Sequence, residues 1–335
     1  PPKFEMCEDM VNLTFLNDAS VFNNLKCRYQ AKMIHCYSGL FVCVINPYKF
    51  FPIYTHRVAA IYLGKRRNEA PPHLWSIAEG AYRNMLQNKK DNAMLITGES
   101  GAGKTENTKK VITYFAFVGS GGGPKKVKEG EKKKASLEDQ VVQTNPVLEA
   151  YGNAKTVRND NSSRFGKFIR VWFNNMGKMA GGDIEVYLLE KSRVTYQSPC
   201  ERSYHIFYFM ITHTIDLHEE AGLSDNIFDY PLVSMGKVKV ESIDDSEEML
   251  IMDEAFDILG FTRREKYDVY KMSAICMHIS KMEFTGVGEM ASPKSLDAGE
   301  TVNALLNFAD SGETLYDCFI NPKYKVLSSS VEQIM

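Results

Sequence analysis

The residues with the plainest chemistry are Gly98-Glu99-Ser100-Gly101-Ala102-Gly103-Lys104-Thr105, which fit the phosphate-loop pattern GxxxxGK[ST]. Glycines let successive backbone N–H groups turn inward around anionic oxygens. A helix starting at the same point adds its positive dipole end. In such a loop Lys104 contacts the β- and γ-phosphates, and the Thr105 hydroxyl binds Mg²⁺. The pattern arises by chance in about one chain in a hundred of this length, so it reads as a nucleoside triphosphate site.

A second polar cluster, Asn159-Asp160-Asn161-Ser162-Ser163-Arg164-Phe165-Gly166, precedes an apolar, β-branched run. Asn and Ser donate to phosphate oxygens, a hydroxyl completes a Mg²⁺ shell, and Arg pairs with a carboxylate or phosphate. On composition alone a polar turn is the simpler reading. Asn161-Ser162-Ser163 also spells a glycosylation sequon, which has no role in a cytosolic protein.

The elements that must position these groups follow from periodicity. Residues 39–46 (GLFVCVIN) read as a buried strand ended by Pro47. Residues 73–89 place Leu74, Ile77, Ala78, Ala81, Tyr82, Met85 and Leu86 on one helical stripe. A strand over Ala93–Thr97, the Gly-rich turn and a helix over about 105–118 complete the phosphate-loop setting. Residues 119–136 carry six lysines against two glutamates after a Gly-Pro run, and read as a mobile surface loop. Strands are expected over 168–173 and 184–189, with a turn across 174–182. From about Glu201 onward the pattern is mostly helical, with loops at 216–245 and 284–300. The whole reads as an α/β domain with a helical extension. Trp75 and Trp172 read as packing residues.

Composition narrows the class. The 335 residues are 44% hydrophobic and 24% charged, enough apolar material for a sizeable core. A net charge of −2 supplies no global attraction to nucleic acid. No apolar run approaches the ~18 residues of a membrane span. Seven cysteines without a CxxC pair point to reduced thiols in the cytoplasm. Two GTPase-like patterns are decoys: Asn88-Lys89-Lys90-Asp91 precedes the phosphate loop instead of following it, and Asp257-Ile258-Leu259-Gly260 ends an amphipathic helix.

The stretches 98–112, 145–169 and 183–197, with Asn46-Pro47-Tyr48-Lys49 through Tyr54, Pro71-Pro72-His73 and 253–261, resemble the myosin motor domain, in particular muscle-type class II heavy chains. The resemblance implies a P-loop NTPase motor core with a mixed central β-sheet, the transducer, plus a mostly helical upper 50 kDa subdomain. It implies ATP and Mg²⁺ as cofactors and the actin filament as partner. Residues 159–166 become switch I: Asn159 reaches the phosphates, Ser162 lies near the γ-phosphate, and Ser163 completes the Mg²⁺ shell beside Thr105. Arg164 is expected to pair with a switch II glutamate, closing the pocket around the attacking water. Asn46, Pro47 and Tyr54 become the adenine side, with Glu106 and Asn107 at the base of the phosphate-loop helix. The Lys-rich segment falls at loop 1, where length and charge tune nucleotide release.

On this reading residues 1–118 form the nucleotide-binding core, 119–137 loop 1, 138–200 switch I with transducer strands, and 201–335 the upper subdomain. The sequence contains no DxxGFE switch II, so Arg164 has no identifiable partner in it. The chain therefore reads as part of a larger motor, cut near the start of an actin-contacting loop at Pro322–Met335. Light chains and heavy-chain dimerisation would belong to segments outside it. The implied setting is the cytoplasm, in the thick filament of muscle. The alternative is a non-catalytic nucleotide- or actin-binding module derived from a myosin head.

Overall fold

The computed structural model describes residues 6–121, 137–287 and 290–293. The chain divides into two compact units, Pro1–Glu138 with Val171–Gly181, and Asp139–Arg170 with Gly182–Met335.

In the first unit, α1 (Asp18–Gln30) is capped by Asn17, whose side chain accepts from the Ser20 N–H at 2.9 Å. β1 (His35–Ser38) and β2 (Phe41–Val44) form an antiparallel hairpin in the register His35↔Val44. Gly39, at φ +57°, makes the turn. The single strand expected over 39–46 is thus the turn and second arm of a hairpin. It is not buried: Phe41 is exposed and Val42 to Val44 are half-buried.

Next come α2 (His56–Tyr62), α3 (Leu74–Asn88) and α4 (Lys104–Gly119). α3 follows its stripe, with Leu74, Ala78 and Tyr82 buried. It packs on α4 through Trp75, which stacks on Tyr114 at 5.5 Å and donates its indole N–H to the Lys110 carbonyl at 2.8 Å. Beside them the Glu79 carboxylate is 2% exposed; it accepts from the Tyr114 hydroxyl and the Gly64 N–H, each at 2.8 Å. Burial raises the Glu79 pKa, and these two donors oppose that shift.

Residues 93–97 do not form the expected strand. A strand exists only with a ladder, and no described residue pairs with this segment. Its alternation persists: Met94 and Ile96 pack on the α3–α4 core while Leu95 is 90% exposed.

The second unit opens with α5 (Leu137–Gly152), followed by the short pair β3 (Asn153–Ala154) and β4 (Ser162–Ser163). β5 (Gly166–Phe173) and β6 (Met179–Tyr187) form the expected hairpin, whose turn end, Val171–Gly181, counts with the first unit; the turn is tighter than 174–182, the Asn174 N–H reaching the Lys178 carbonyl at 2.8 Å. Trp172 is half-exposed and lies over Gly181, so it is a surface aromatic and not a core residue.

Short helices α6 (Ser192–Thr195), α7 (His205–Phe209) and α8 (His218–Ala221) precede α9 (Asp245–Leu259) and α10 (Arg263–Ile279). α10 begins with a Thr262–Glu265 capping box. Tyr204, Phe207, Met249, Phe256, Tyr270 and Met277 centre the core.

β7 (Phe284–Val287) and β8 (Met290–Pro293) pair where a loop was expected. A local backbone ladder does not require the alternation used to find strands, so composition hid it. Among the described residues the strands make four antiparallel two-stranded sheets, not one mixed central sheet. Of the expected loop 1 at 119–137, residues 122–136 lie outside the described residues, as does the segment 322–335; Gly119 closes α4 and Leu137 opens α5.

Truncating Trp75 removes the stacked face of α4 and leaves the Lys110 carbonyl without its indole donor. Trp75→Ala is expected to lower stability by about 3–5 kcal/mol in urea unfolding. A loss below about 1 kcal/mol would contradict this account of how α4 is seated.

Candidate nucleotide site

The phosphate loop is built from backbone conformation first. Gly101 (φ +78°) and Gly103 (φ +92°) occupy the left-handed region that L side chains rarely adopt. At Gly103 an added Cβ would meet nothing closer than 3.7 Å, so conformation and not crowding demands glycine. Gly103 is also the N-cap of α4, where the Asn107 N–H closes the first helical bond onto the Gly103 carbonyl at 2.9 Å. The N–H groups ahead of that bond have no partner within the helix. Lys104 folds its ammonium back to the Gly98 and Glu99 carbonyls, at 2.8 and 2.9 Å, which sets positive charge on the loop. Left-handed glycines, a helix N-terminus and a lysine ammonium form a donor set that fits a polyphosphate.

Asn46 braces the loop by donating to the Gly101 carbonyl at 2.8 Å, while its Oδ1 accepts from the Tyr48 N–H at 3.0 Å. The Tyr48 hydroxyl also reaches the Gly101 carbonyl, at 3.3 Å. Tyr48 was not among the expected site residues, although it lies between two that were. Pro47 joins these two contacts. Tyr54 sits in an aromatic cluster, with its hydroxyl 3.0 Å from His35 Nε2 and its ring against His73 and Trp75. Glu106 pairs with Lys109 at 3.0 Å. The Asn107 amide faces Gly103.

In the second unit, residues 156–166 form a tightly bonded loop. The Thr156 N–H donates to the Asn159 carbonyl at 2.8 Å, and the Asn161 N–H to Asn159 Oδ1 at 3.1 Å. The Asn159 amide is engaged with the Asn161 backbone at 3.3 Å. Asp160 accepts from Lys155 at 2.7 Å and from the Ser242 hydroxyl, and these bonds lower its pKa. Ser162 is buried and accepts from Arg164 Nη1 at 3.3 Å; Ser163 is exposed and pairs in register with Asn153. A cavity of about 510 Å³ opens beside this loop, lined by Asn159, Asp160, Asn161, His205, Ser242 and Glu248 among others.

Arg164 does have a partner in this chain. Its Nε lies 2.7 Å from Glu190 Oε2, and the Glu190 N–H donates to the Arg164 carbonyl at 3.0 Å. Arg193 approaches the same oxygen at 2.8 Å and also pairs with Glu201 at 3.1 Å. Burial pushes the Glu190 pKa up, but the hydrogen bonds from Arg164 and Arg193 outweigh it and hold the carboxyl below its ordinary value. The pair spans residues far apart in sequence, and no local pattern marks it.

The Myosin head (motor domain) family matches residues 7–334. The chain belongs to that family. It is 53% identical over 331 residues to Myosin-3 of Caenorhabditis elegans, covering 97% of this chain and 17% of that protein. Myosin-3 of Caenorhabditis briggsae is likewise 53% identical over 333 residues, and Myosin-1 of Caenorhabditis elegans 53% over 329. The chain thus spans about 17% of the length of these curated relatives.

Within this myosin head segment both GTPase-like patterns are helix ends. Lys89 (φ 52°) caps α3, and Gly260 (φ 90°) caps α9, both left-handed. Cys7, Cys27, Cys36, Cys43, Cys200 and Cys276 are free thiols. Among the described residues no helix is long and apolar enough to cross a membrane.

The 156–166 loop is tied to the core by a chain of polar groups, centred on buried Arg202 and His205, that the sequence did not reveal. Arg202, fully buried, pairs with Asp245 at 2.6 Å and donates from Nη2 to His205 Nδ1 at 2.9 Å. Because arginine can only donate, Nδ1 accepts, and the ring proton sits on Nε2, 3.2 Å from Asn161 Oδ1. Asn161 Nδ2 in turn donates to Glu149 at 3.0 Å. Burial, then the Arg202 charge, push the His205 pKa from 6.5 down to about 3. The unfolded chain therefore binds the extra proton between those values, and stability rises with pH across that window. Lowering the pH from 7 to 5 is expected to cost about 2 kcal/mol through this group. In acid titrations of the unfolding midpoint His205→Gln should remove that dependence; an unchanged slope would show that His205 is not held neutral.

Proposed function

We propose that this chain is the nucleotide-binding part of an actin-based motor that couples MgATP hydrolysis to force on actin filaments. The observation that carries the reading is the phosphate loop: left-handed Gly103 at the N-terminus of α4, with the Lys104 ammonium set over the loop. The relatives named above are myosins, and this reading gives the present chain the same kind of work.

Lys104 would hold the β- and γ-phosphate oxygens, and the first-turn N–H groups of α4 would share their charge. Thr105 and Ser163 would hold Mg²⁺, which when bound offsets charge between those oxygens. Ser162 would orient near the γ-phosphate. Arg164, bonded to Glu190, would exchange that carboxylate for a switch II glutamate supplied from beyond residues 1–335 when the pocket closes. Asn46, Pro47 and Tyr54 would form the adenine side, with Asn159 toward the phosphates. Actin contacts, light chains, dimerisation and a place in the muscle thick filament belong to the proposed whole. Residues 1–335 alone should bind nucleotide weakly and turn it over slowly, because they hold no DxxGFE sequence.

Titration with a fluorescent ATP analogue tests the core of this reading. Binding should require Mg²⁺, and Lys104→Ala should weaken it by about tenfold to a hundredfold, the worth of charge-assisted hydrogen bonds to phosphate. Equal affinity of wild type and Lys104→Ala would refute the assignment.

A further inference from the structure

A second cluster of ligand-type side chains lies in the 213–225 region of the second unit and takes no part in the proposed nucleotide chemistry. His213 and His218 stack ring on ring, with centroids 3.5 Å apart and planes at 19°. His213 Nε2 lies 2.5 Å from Asp225 Oδ1, and His218 Nδ1 lies 3.5 Å from the same oxygen. One ligand atom from each residue falls within 4.8 Å of the others. We propose that His213, His218 and Asp225 form a binding site for a borderline divalent cation of the Zn²⁺ type.

The local fold builds the three positions independently. His218 is the first residue of α8, whose flanks Leu217 and Ala221 are fully buried. His278 Nε2 contacts the Ala221 carbonyl at 2.8 Å and fixes that helix from the other side. Left-handed Gly222 ends α8 and turns the chain toward Asp225. The turn is secured by the Ser224 N–H donating to the Tyr230 hydroxyl at 2.8 Å. His213 takes up a left-handed conformation at φ 57°, uncommon for a non-glycine residue though less so for histidine. That backbone state occurs at the residue whose ring stacks on His218.

Two features point to a ligand and not to a plain ion pair. The His218 side chain is only 12% exposed, and neither shielded ring nitrogen makes a hydrogen bond of good geometry: Asp225 Oδ1 stands 3.5 Å from Nδ1, with the Met210 and Leu223 backbone close by. A buried imidazole in that condition is costly unless something else binds it. Two imidazoles and one carboxylate match zinc with an open position, and three ligands at 2.0–2.2 Å stand about 3.3 Å apart. The two separations to Asp225 bracket that value, and the His213 ring would swing out of its stack on His218 for both in-plane lone pairs to converge on one ion. His213 and Asp225, 51% and 78% exposed, are the two able to adjust around a fixed His218.

Isothermal titration of the 335-residue chain with ZnCl₂ tests this. One equivalent should bind, and His213→Ala and Asp225→Asn should each weaken it by at least about tenfold. Both substitutions are at exposed positions, so the thermal midpoint without metal should hold, while the Zn²⁺-induced rise seen in wild type should disappear. Cobalt substitution should give d–d bands without thiolate charge transfer. Equal Zn²⁺ affinity in wild type and both variants, no measurable binding to wild type, or a thiolate signature assigning the metal to cysteines would each overturn the proposal.

Discussion

A buried carboxylate governs the first unit. Glu79 is withdrawn from solvent and cannot be left unpaired, so the Tyr114 hydroxyl and the Gly64 N–H must both reach it. Tyr114 belongs to α4 and Glu79 to α3, so satisfying the carboxylate fixes the rotation of one helix against the other. The Trp75 indole bond to Lys110 adds a second fixed point four residues earlier on α4. A helix held at two points along one face has a defined N-terminus, and in this chain that N-terminus is the phosphate loop. Asn46 and Tyr48 then brace the loop at Gly101.

The second unit solves a similar problem with different groups. Its polar loop 156–166 has few apolar side chains with which to anchor itself, and uses two polar connections instead, one through buried Arg202 and His205 and one half-buried. One runs Asn161–His205–Arg202–Asp245, and the other joins Arg164 to Glu190 and Arg193. Each depends on a defined protonation state: His205 neutral, Glu190 ionised. Removing Asp245 from the first would leave the Arg202 charge buried without its carboxylate, which costs more than the pair itself contributes.

The glycine turn ahead of α4 and the polar loop before β5 were legible in the sequence because each is short and contiguous, and because Gly101 and Gly103 take up left-handed backbone conformations. α3, α4, α9 and the β5–β6 hairpin were legible for the same reason: their periodicity or their caps lie within one segment. What escaped was non-local. The Arg164–Glu190 pair joins positions separated by a whole hairpin, and His205 reaches Asn161 from a different element. The expected strand over 93–97 failed on the same ground, since its alternation is visible locally but its ladder is not. Trp172 read as a packing residue, and its ring does lie against Gly181, with half of the residue in solvent.

Amide hydrogen exchange of the chain with and without MgATP tests the central claim that the phosphate loop seated by α3 and α4 is the proposed nucleotide site. Protection on adding MgATP should appear in peptides covering residues 98–106. Absence of protection over 98–106 under saturating MgATP would contradict the account.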